Sequence, residues 1–377
     1  MILNFTIVLF DGKCTTRQVL LILLITVGFV CYQPLNTVSP ADAHINEFED
    51  VLAAFKKNEK VRGLAFALFD KNDVIFQKCL GNSTYGYPIN GETLFSIQSI
   101  SKNITTLAVM KAVQDGLLDL DLPISNYLPG FKINSCFEDD PEERITIRML
   151  LSNTAGFTHE APVGNNYDFR PVSFYDHINS IADTWLKFPA GTNYSYSNLG
   201  FDLAAKIVED VSGMMFNDYL KINIFDPLEM TFTTIHDDEV VRSLNKTEGT
   251  IPYIKTKHYK LPYLGAGAVY TSLGDLIKYV QLHMHFGELD KKSIIDRSNL
   301  NKMYTIGFFN YGLGTYIGKI DGIYFLNHNG GGYGYSSAML WYPEYNVGAV
   351  MLCNSNCEAF DVSRAILNMY VENTSPA

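Results

Sequence analysis

The chain has 377 residues, more than one small module at ~100–200 residues per domain, and its 47% hydrophobic and 13% aromatic content is that of a packed protein, not a disordered one. The formal net charge is −11, from 29 Lys and Arg against 40 Asp and Glu. With no Lys/Arg-rich run, phosphate neutralisation cannot be the main source of binding, which argues against nucleic acid as a partner.

Val19 to Tyr32 (VLLILLITVGFVCY) is uncharged and follows Lys13 and Arg17. As a helix it rises about 21 Å, short of the ~30 Å hydrocarbon core, so it reads as the apolar part of a signal peptide. Ala41-Asp42-Ala43 then offers a small-residue cleavage site before His44. A retained single-pass anchor is the alternative. Either way residues 1–43 form a targeting segment, the only one expected to meet a membrane, and the body is expected outside the cell or in its envelope. Cys14 and Cys31 lie in this leader; Cys79, Cys136, Cys353 and Cys357 lie in the body without CxxC spacing and read as core thiols, with room for one disulfide.

In the body, Val61 to Phe69 and Val74 to Leu80 are apolar runs around Asp70-Lys71-Asn72-Asp73, a cluster of turn formers, and predict a β-hairpin. Helical spacing follows in Lys102 to Gln114, Ile145 to Leu151, Val172 to Trp185, Gly200 to Val211 and Leu273 to His285. Strand patterns return at Gly314 to Lys319, Ile323 to Leu326, Ser336 to Trp341 and Val347 to Cys353, and Glu358 to Val371 predicts a terminal helix over one sheet face. Strands at both ends with helices between them predict an α+β fold: an antiparallel β-sheet flanked by helices, with a mostly helical inserted subdomain. The expected division is a sheet unit of residues 44–104 plus 310–377 and a helical unit of 105–309, with a cleft where they meet.

Three short patterns carry chemistry. Ser99 and Lys102 stand three apart at the start of an apolar helix, hydroxyl and amine one turn apart, where the helix N-terminus favours developing negative charge. Ser243 and Lys246 share the spacing but sit in a polar stretch. Tyr196-Ser197-Asn198 follows the turn signal Pro189-Ala190-Gly191-Thr192. On that loop a Tyr with its pKa lowered by a neighbouring ammonium would be a general base while the Asn amide holds substrate; a Tyr packed by its ring alone is the competing reading. His328-Asn329-Gly330-Gly331 follows the strand pattern ending at Leu326, and its glycines let a substrate backbone approach. His283, His285 and the His159-Glu160 pair lack a third ligand at sensible spacing, so neither a metal nor another cofactor is expected.

Together these patterns resemble the serine β-lactamase and penicillin-binding-protein family, in its class C and DD-peptidase-like branch. The resemblance covers about residues 48–370 and includes the runs Asp121 to Pro129, Ile145 to Gly156 and Asp226 to Met230. It implies acyl transfer: Ser99 as nucleophile, Lys102 and Tyr196 sharing the proton, and the backbone N–H groups of Ser99 and Gly331 as oxyanion hole. Asn198 would hold the substrate amide; His328 and Gly330 would line the far side, His328 steering a substrate carboxylate. Class A members instead carry Ser-Asp-Asn and Lys-Thr-Gly, and no Ser-Asp-Asn occurs here. The His at 328 is more usual in DD-peptidases, D-amino-acid amidases and esterase-like relatives than in class C β-lactamases. The implied substrate is therefore a D-amino-acid peptide of the kind found in peptidoglycan, cut by a DD-carboxypeptidase or endopeptidase. A β-lactam, a small ester or amide, or a non-catalytic scaffold role are the alternatives. Asn153-Thr154-Ala155-Gly156 departs from the family's frequent His-Thr-Ser-Gly, and the sequence offers no reason.

Overall fold

Asp70 sets the first turn: its carboxylate accepts the N–H groups of Asn72 and Asp73 at 2.7 Å, closing the hairpin between β1 (Gly63–Asp70) and β2 (Val74–Gly81). The structure, a computed structural model, describes residues 40–374 except 84–85, 166–167, 169, 252–253, 256–259 and 321. The apolar leader from Val19 to Tyr32, with Cys14 and Cys31, lies outside the described residues. Among the described residues no helix is long and apolar enough to cross a membrane.

β3 (Tyr316–Ile320), β4 (Ile323–Gly332), β5 (Tyr335–Tyr342) and β6 (Val347–Cys353) form an antiparallel meander, and β1 joins it by pairing with β6. The six-stranded order is β2-β1-β6-β5-β4-β3. Along β1, Leu64, Phe66 and Leu68 enter one core while Ala65, Ala67 and Phe69 enter the other. Both faces are buried, which is why β1 reads as an unbroken apolar run instead of an alternating one.

On one face lie α1 (Pro40–Asn58) and the terminal helix, here α6 (Ala359–Thr374). On the other lie α2 (Ser101–Gln114), α3 (Asn198–Ser212), the short α4 (Leu264–Gly267) and α5 (Leu273–Met284), sharing the larger core. The sequence reading gave no helix before β1, although Phe48, Leu52 and Phe55 stand at helical spacing and are buried against the sheet. Ala41-Asp42-Ala43 falls in the first turn of α1.

The expected helix over Val172 to Trp185 is shorter, Phe174–Ser180, because Ser173 caps it through the Asp176 N–H and a 3-10 turn at Ile181–Asp183 ends it. Cys136 is exposed, not a core thiol; Cys353 is buried at the end of β6, where its thiol shares a hydrogen bond with that of Cys357.

Burying a Leu side chain contributes ~1.5–3 kcal/mol, and truncating one in a packed site costs ~2–5 kcal/mol. Leu52→Ala is therefore expected to lower unfolding free energy by about 2–5 kcal/mol in urea titration, while the exposed Lys57→Ala stays within about 0.5 kcal/mol. Equal stability of both variants would show that α1 is not part of the core.

Candidate active site

The turn that presents Ser99 is built from strain. Phe95–Ser96 pairs antiparallel with Tyr270–Thr271, and the Ile97 N–H donates to the Val269 carbonyl at 3.0 Å. Gln98 then adopts φ +49°, a left-handed conformation that a non-glycine residue holds only when its surroundings fix it. Its Nε2 donates to Ser96 Oγ at 2.7 Å. The 3-10 turn Gln98–Ile100 runs straight into α2, which leaves the Ser99 N–H at a helix start without an acceptor inside the helix.

One turn on, Lys102 is fully buried, and its Nζ donates to Ser99 Oγ at 3.0 Å and to the Ala266 carbonyl at 2.9 Å. Nζ also lies 4.9 Å from the Tyr196 ring centre and 5.8 Å from that of Phe201. Burial pushes the Lys102 amine down to about 7, against the pull of the Asp202 and Glu160 carboxylates. Near neutrality a large share of it is an unprotonated amine in contact with a hydroxyl. The decoy pair differs: Lys246 Nζ is spent on the Val240 and Val241 carbonyls at 2.8 and 2.6 Å.

Tyr196 is hydrogen-bonded to Ser99. The sequence reading expects a phenol with lowered pKa; burial instead pushes it above its usual value, with the Ser99 bond working the other way, so of the two groups Lys102 is the more readily deprotonated. Asn153 holds this segment in place. Its backbone is at φ +59°, its carbonyl accepts the Ser195 N–H at 2.9 Å and its Oδ1 accepts the Ser197 N–H at 3.0 Å. That gives the Asn at this position a job which the linear pattern did not reveal.

Asn198 is the first residue of α3, not a loop residue, because Ser197 caps the helix by accepting the Leu199 N–H at 3.1 Å. Its Nδ2 donates to Glu160 Oε1 at 3.0 Å. His159 Nδ1 lies 3.0 Å from the same carboxylate oxygen, and its ring stacks 5.8 Å from that of Tyr196. His159 and Glu160, considered only as zinc ligands in the sequence, thus brace the Tyr196–Asn198 segment. No spacing rule connects residue 160 with 198.

His328, Gly330 and Gly331 lie inside β4, not beyond its end as expected. Pairing with β5 continues across the glycines, Gly330 opposite Ser337 and Gly331 opposite Ser336. Gly330 is required by close approach: a Cβ there would stand 2.0 Å from the Ile97 carbonyl oxygen, the oxygen that accepts from Ser337 Oγ at 2.8 Å. Around Gly331 the space is open.

His328 is buried, with Nδ1 at 2.8 Å from the Asn329 carbonyl and Nε2 at 3.1 Å from the Tyr311 hydroxyl. The carbonyl must accept, so Nδ1 carries the proton and Nε2 accepts from Tyr311. Burial, helped by Lys102, pushes the imidazole down to about 3, so it is neutral. Ser99, Tyr196, His328, Gly330 and Gly331 line one cleft of about 440 Å³, which Cys357, Glu358 and Phe360 line as well. Among the described residues no Lys or Arg lines it, and no cluster of His, Cys, Asp or Glu is arranged to hold a metal ion.

Losing one oxyanion donor costs about 10²–10³ in rate in a well-studied case. Gly330→Ala, which must push β4 off the Ile97 carbonyl, is expected to slow acyl-adduct formation by about 100-fold. Gly331→Ala, with open space for its Cβ, should be milder; intact-mass kinetics of both variants check the order, and a milder Gly330→Ala would refute the close-approach argument.

The beta-lactamase family model matches residues 48–371, most of the chain. Protein flp of Staphylococcus aureus (strain NCTC 8325 / PS 47) is 27% identical over 309 residues, covering 78% of this chain, which spans 60% of that relative's length. Penicillin-binding protein 4* of Bacillus subtilis (strain 168) is 26% identical over 326 residues, covering 78% of this chain and 68% of that protein. Among solved structures, the octameric penicillin-binding protein homologue from Pyrococcus abyssi superimposes with a TM-score of 0.75 at 25% identity, over 87% of this chain and 77% of that one. With the family model spanning sheet, helical part and all three motifs, the chain belongs to the beta-lactamase family, whose members include the penicillin-binding proteins.

Proposed function

We propose that the protein is an exported serine acyl hydrolase that opens an amide or ester bond through a Ser99 acyl-enzyme. The observation that carries this reading is the 3.0 Å contact between Ser99 Oγ and a buried Lys102 amine whose pKa is near 7. Lys102 takes the Ser99 proton as Oγ attacks the carbonyl carbon, and the carbonyl oxygen becomes an oxyanion between the N–H groups of Ser99 and Gly331. The Tyr196 hydroxyl passes a proton from Lys102 to the leaving amine or alcohol, the bond to the leaving group breaks, and Ser99 remains as an ester. Water, deprotonated by the same groups, then releases the acid and restores the hydroxyl. A scaffold has no use for a desolvated amine under a hydroxyl, which favours the catalytic reading.

The charge of the cleft narrows the substrate. A free carboxylate on the substrate would be matched best by a cation, whereas His328 is neutral, no Lys or Arg is among the described lining residues, and Glu358 lines the same cleft. This favours substrates that are neutral or cationic at that end: an internal bond of a D-amino-acid peptide, as for an endopeptidase or amidase, or an ester. It disfavours a carboxypeptidase and an efficient β-lactamase, whose substrates end in a carboxylate. Export through Val19 to Tyr32 belongs to the proposal and fits a cell-envelope substrate.

Ser99→Ala is expected to abolish the mass adduct formed with an activated ester or with benzylpenicillin, at unchanged melting temperature; turnover that survives it would remove the mechanism. Of two D-alanyl-D-alanine peptides, one ending in a carboxylate and one amidated, the wild type should prefer the amidated one. Glu358→Lys should move that ratio about 3- to 10-fold toward the carboxylate, the scale of a single partly screened charge. A ratio that does not move would take Glu358 out of the selectivity argument.

A further inference from the structure

Behind Lys102 lies a second buried ionic group that the acyl-transfer scheme does not use. Asp202 on α3 and His177 are both fully buried, with His177 Nε2 at 3.1 Å from Asp202 Oδ2. The other imidazole nitrogen, Nδ1, is 2.8 Å from the Val163 carbonyl. With Asp202 ionised, both of those partners can only accept, so both ring nitrogens donate and His177 is an imidazolium. Burial opposes its protonation, but the Asp202 carboxylate outweighs burial and the His177 pKa lies above its usual value. The other carboxylate oxygen, Oδ1, accepts the N–H groups of Gly265 at 3.0 Å and Ala266 at 3.1 Å, two donors that favour the ionised form against the burial that pushes the Asp202 pKa up.

Those two amides belong to α4, and the Ala266 carbonyl is the second acceptor of Lys102 Nζ. Asp202 thus fixes the peptide that holds the amine. Its charge also acts on Lys102 directly, favouring the ammonium form. The remaining groups facing the amine are Glu160, which favours the ammonium as well, the Ser99 and Tyr196 hydroxyls, the neutral His328, and the Phe201 ring.

We propose that the buried His177–Asp202 pair is a positioning device for the reaction: Asp202 anchors the α4 turn that holds Lys102 against Ser99, and His177 cancels enough of the Asp202 charge for Lys102 to work as an unprotonated base. The proposal rests on the reading of Lys102 as base. It makes an unusual demand on two adjacent residues: removing the anion and removing the cation must move the titration of Lys102 in opposite directions. Damage to packing alone would lower rates in both variants without that signature.

The test uses the full chain and p-nitrophenyl acetate, whose leaving group needs no proton, so the acid limb of the acylation rate reports the base alone. Ser99→Ala supplies the blank, and intact mass confirms the adduct. In the wild type the rate should rise with pH through about 7, as Lys102 loses its proton. Asp202→Asn is expected to move that limb down by about one pH unit, since an anion favouring the ammonium is gone. His177→Gln is expected to move it up by a similar amount, since Asp202 then acts without its counter-charge. Partial unfolding would shrink the amplitude but not shift the midpoint, so a destabilised variant still gives an answer. Midpoints that stay put, or that move the same way in both variants, overturn the role of the pair. A limb that survives in Lys102→Met overturns the base assignment and the pair's role together, which separates the two failures.

Discussion

The structure depends on keeping an amine dry beneath a hydroxyl. Taking the Lys102 head group out of water is costly for its charged form, so the amine is drawn toward neutrality; it still needs hydrogen-bond partners, and it has two, Ser99 Oγ and the Ala266 carbonyl. Both partners are themselves held. The Gln98 backbone at positive φ turns the chain so that Ser99 opens α2, and Thr105, one turn beyond Lys102, donates its hydroxyl to the Gly265 carbonyl at 2.8 Å. α2 and α4 are thereby bound to each other on both sides of the amine.

The sheet meets this assembly at Ile97. The Ile97 N–H is engaged by Val269, from the segment just after α4, and the Ile97 carbonyl receives the Ser337 hydroxyl from β5. Gly330 of β4 lies against the same carbonyl with no room for a side chain. The residue two before the nucleophile therefore joins sheet and helical part. Placing the glycines within a paired strand makes their backbone as rigid as the sheet, which is what a preorganised oxyanion site requires.

Much of the fold was legible because its signals are local. The hairpin, the four-strand meander and the terminal helix announce themselves in turn residues and periodicity, and the six-stranded sheet follows from strands at both ends of the chain. α1 is the exception: Phe48, Leu52 and Phe55 carry its pattern, but it starts within the polar, small-residue stretch that resembles a cleavage site. Spacing and resemblance point to Ser99, Lys102, Tyr196 and His328; Ser99, Tyr196 and His328 line one cleft, and Lys102 contacts Ser99. What spacing could not give is how each is held. The contacts of Asn153 with the Tyr196 segment, of Glu160 with Asn198 and of Asp202 with α4 join positions far apart in sequence, and only tertiary structure brings them together. The pKa of Tyr196 was misjudged for the same reason: the sequence predicts a neighbouring ammonium but not the burial that outweighs it.

The identity of the residue at 328 is tied to the same charge balance. A lysine there would sit at a buried position close enough to Lys102 for its charge to matter, since Lys102 already contributes to depressing the His328 pKa. Two ammonium groups in one dry pocket repel, and the site would answer by lowering both pKa values or by drawing in an anion. A neutral histidine, with its tautomer fixed by Asn329 and Tyr311, removes that conflict and leaves Asp202 and Glu160 as the charges that tune Lys102, with His177 as the counterweight to Asp202. The consequence reaches the substrate: a cleft that solves its internal charge problem with a neutral His328 has no cation to offer a carboxylate, so in the proposed reaction catalysis at Lys102 and the preference for an uncharged substrate end have one physical origin.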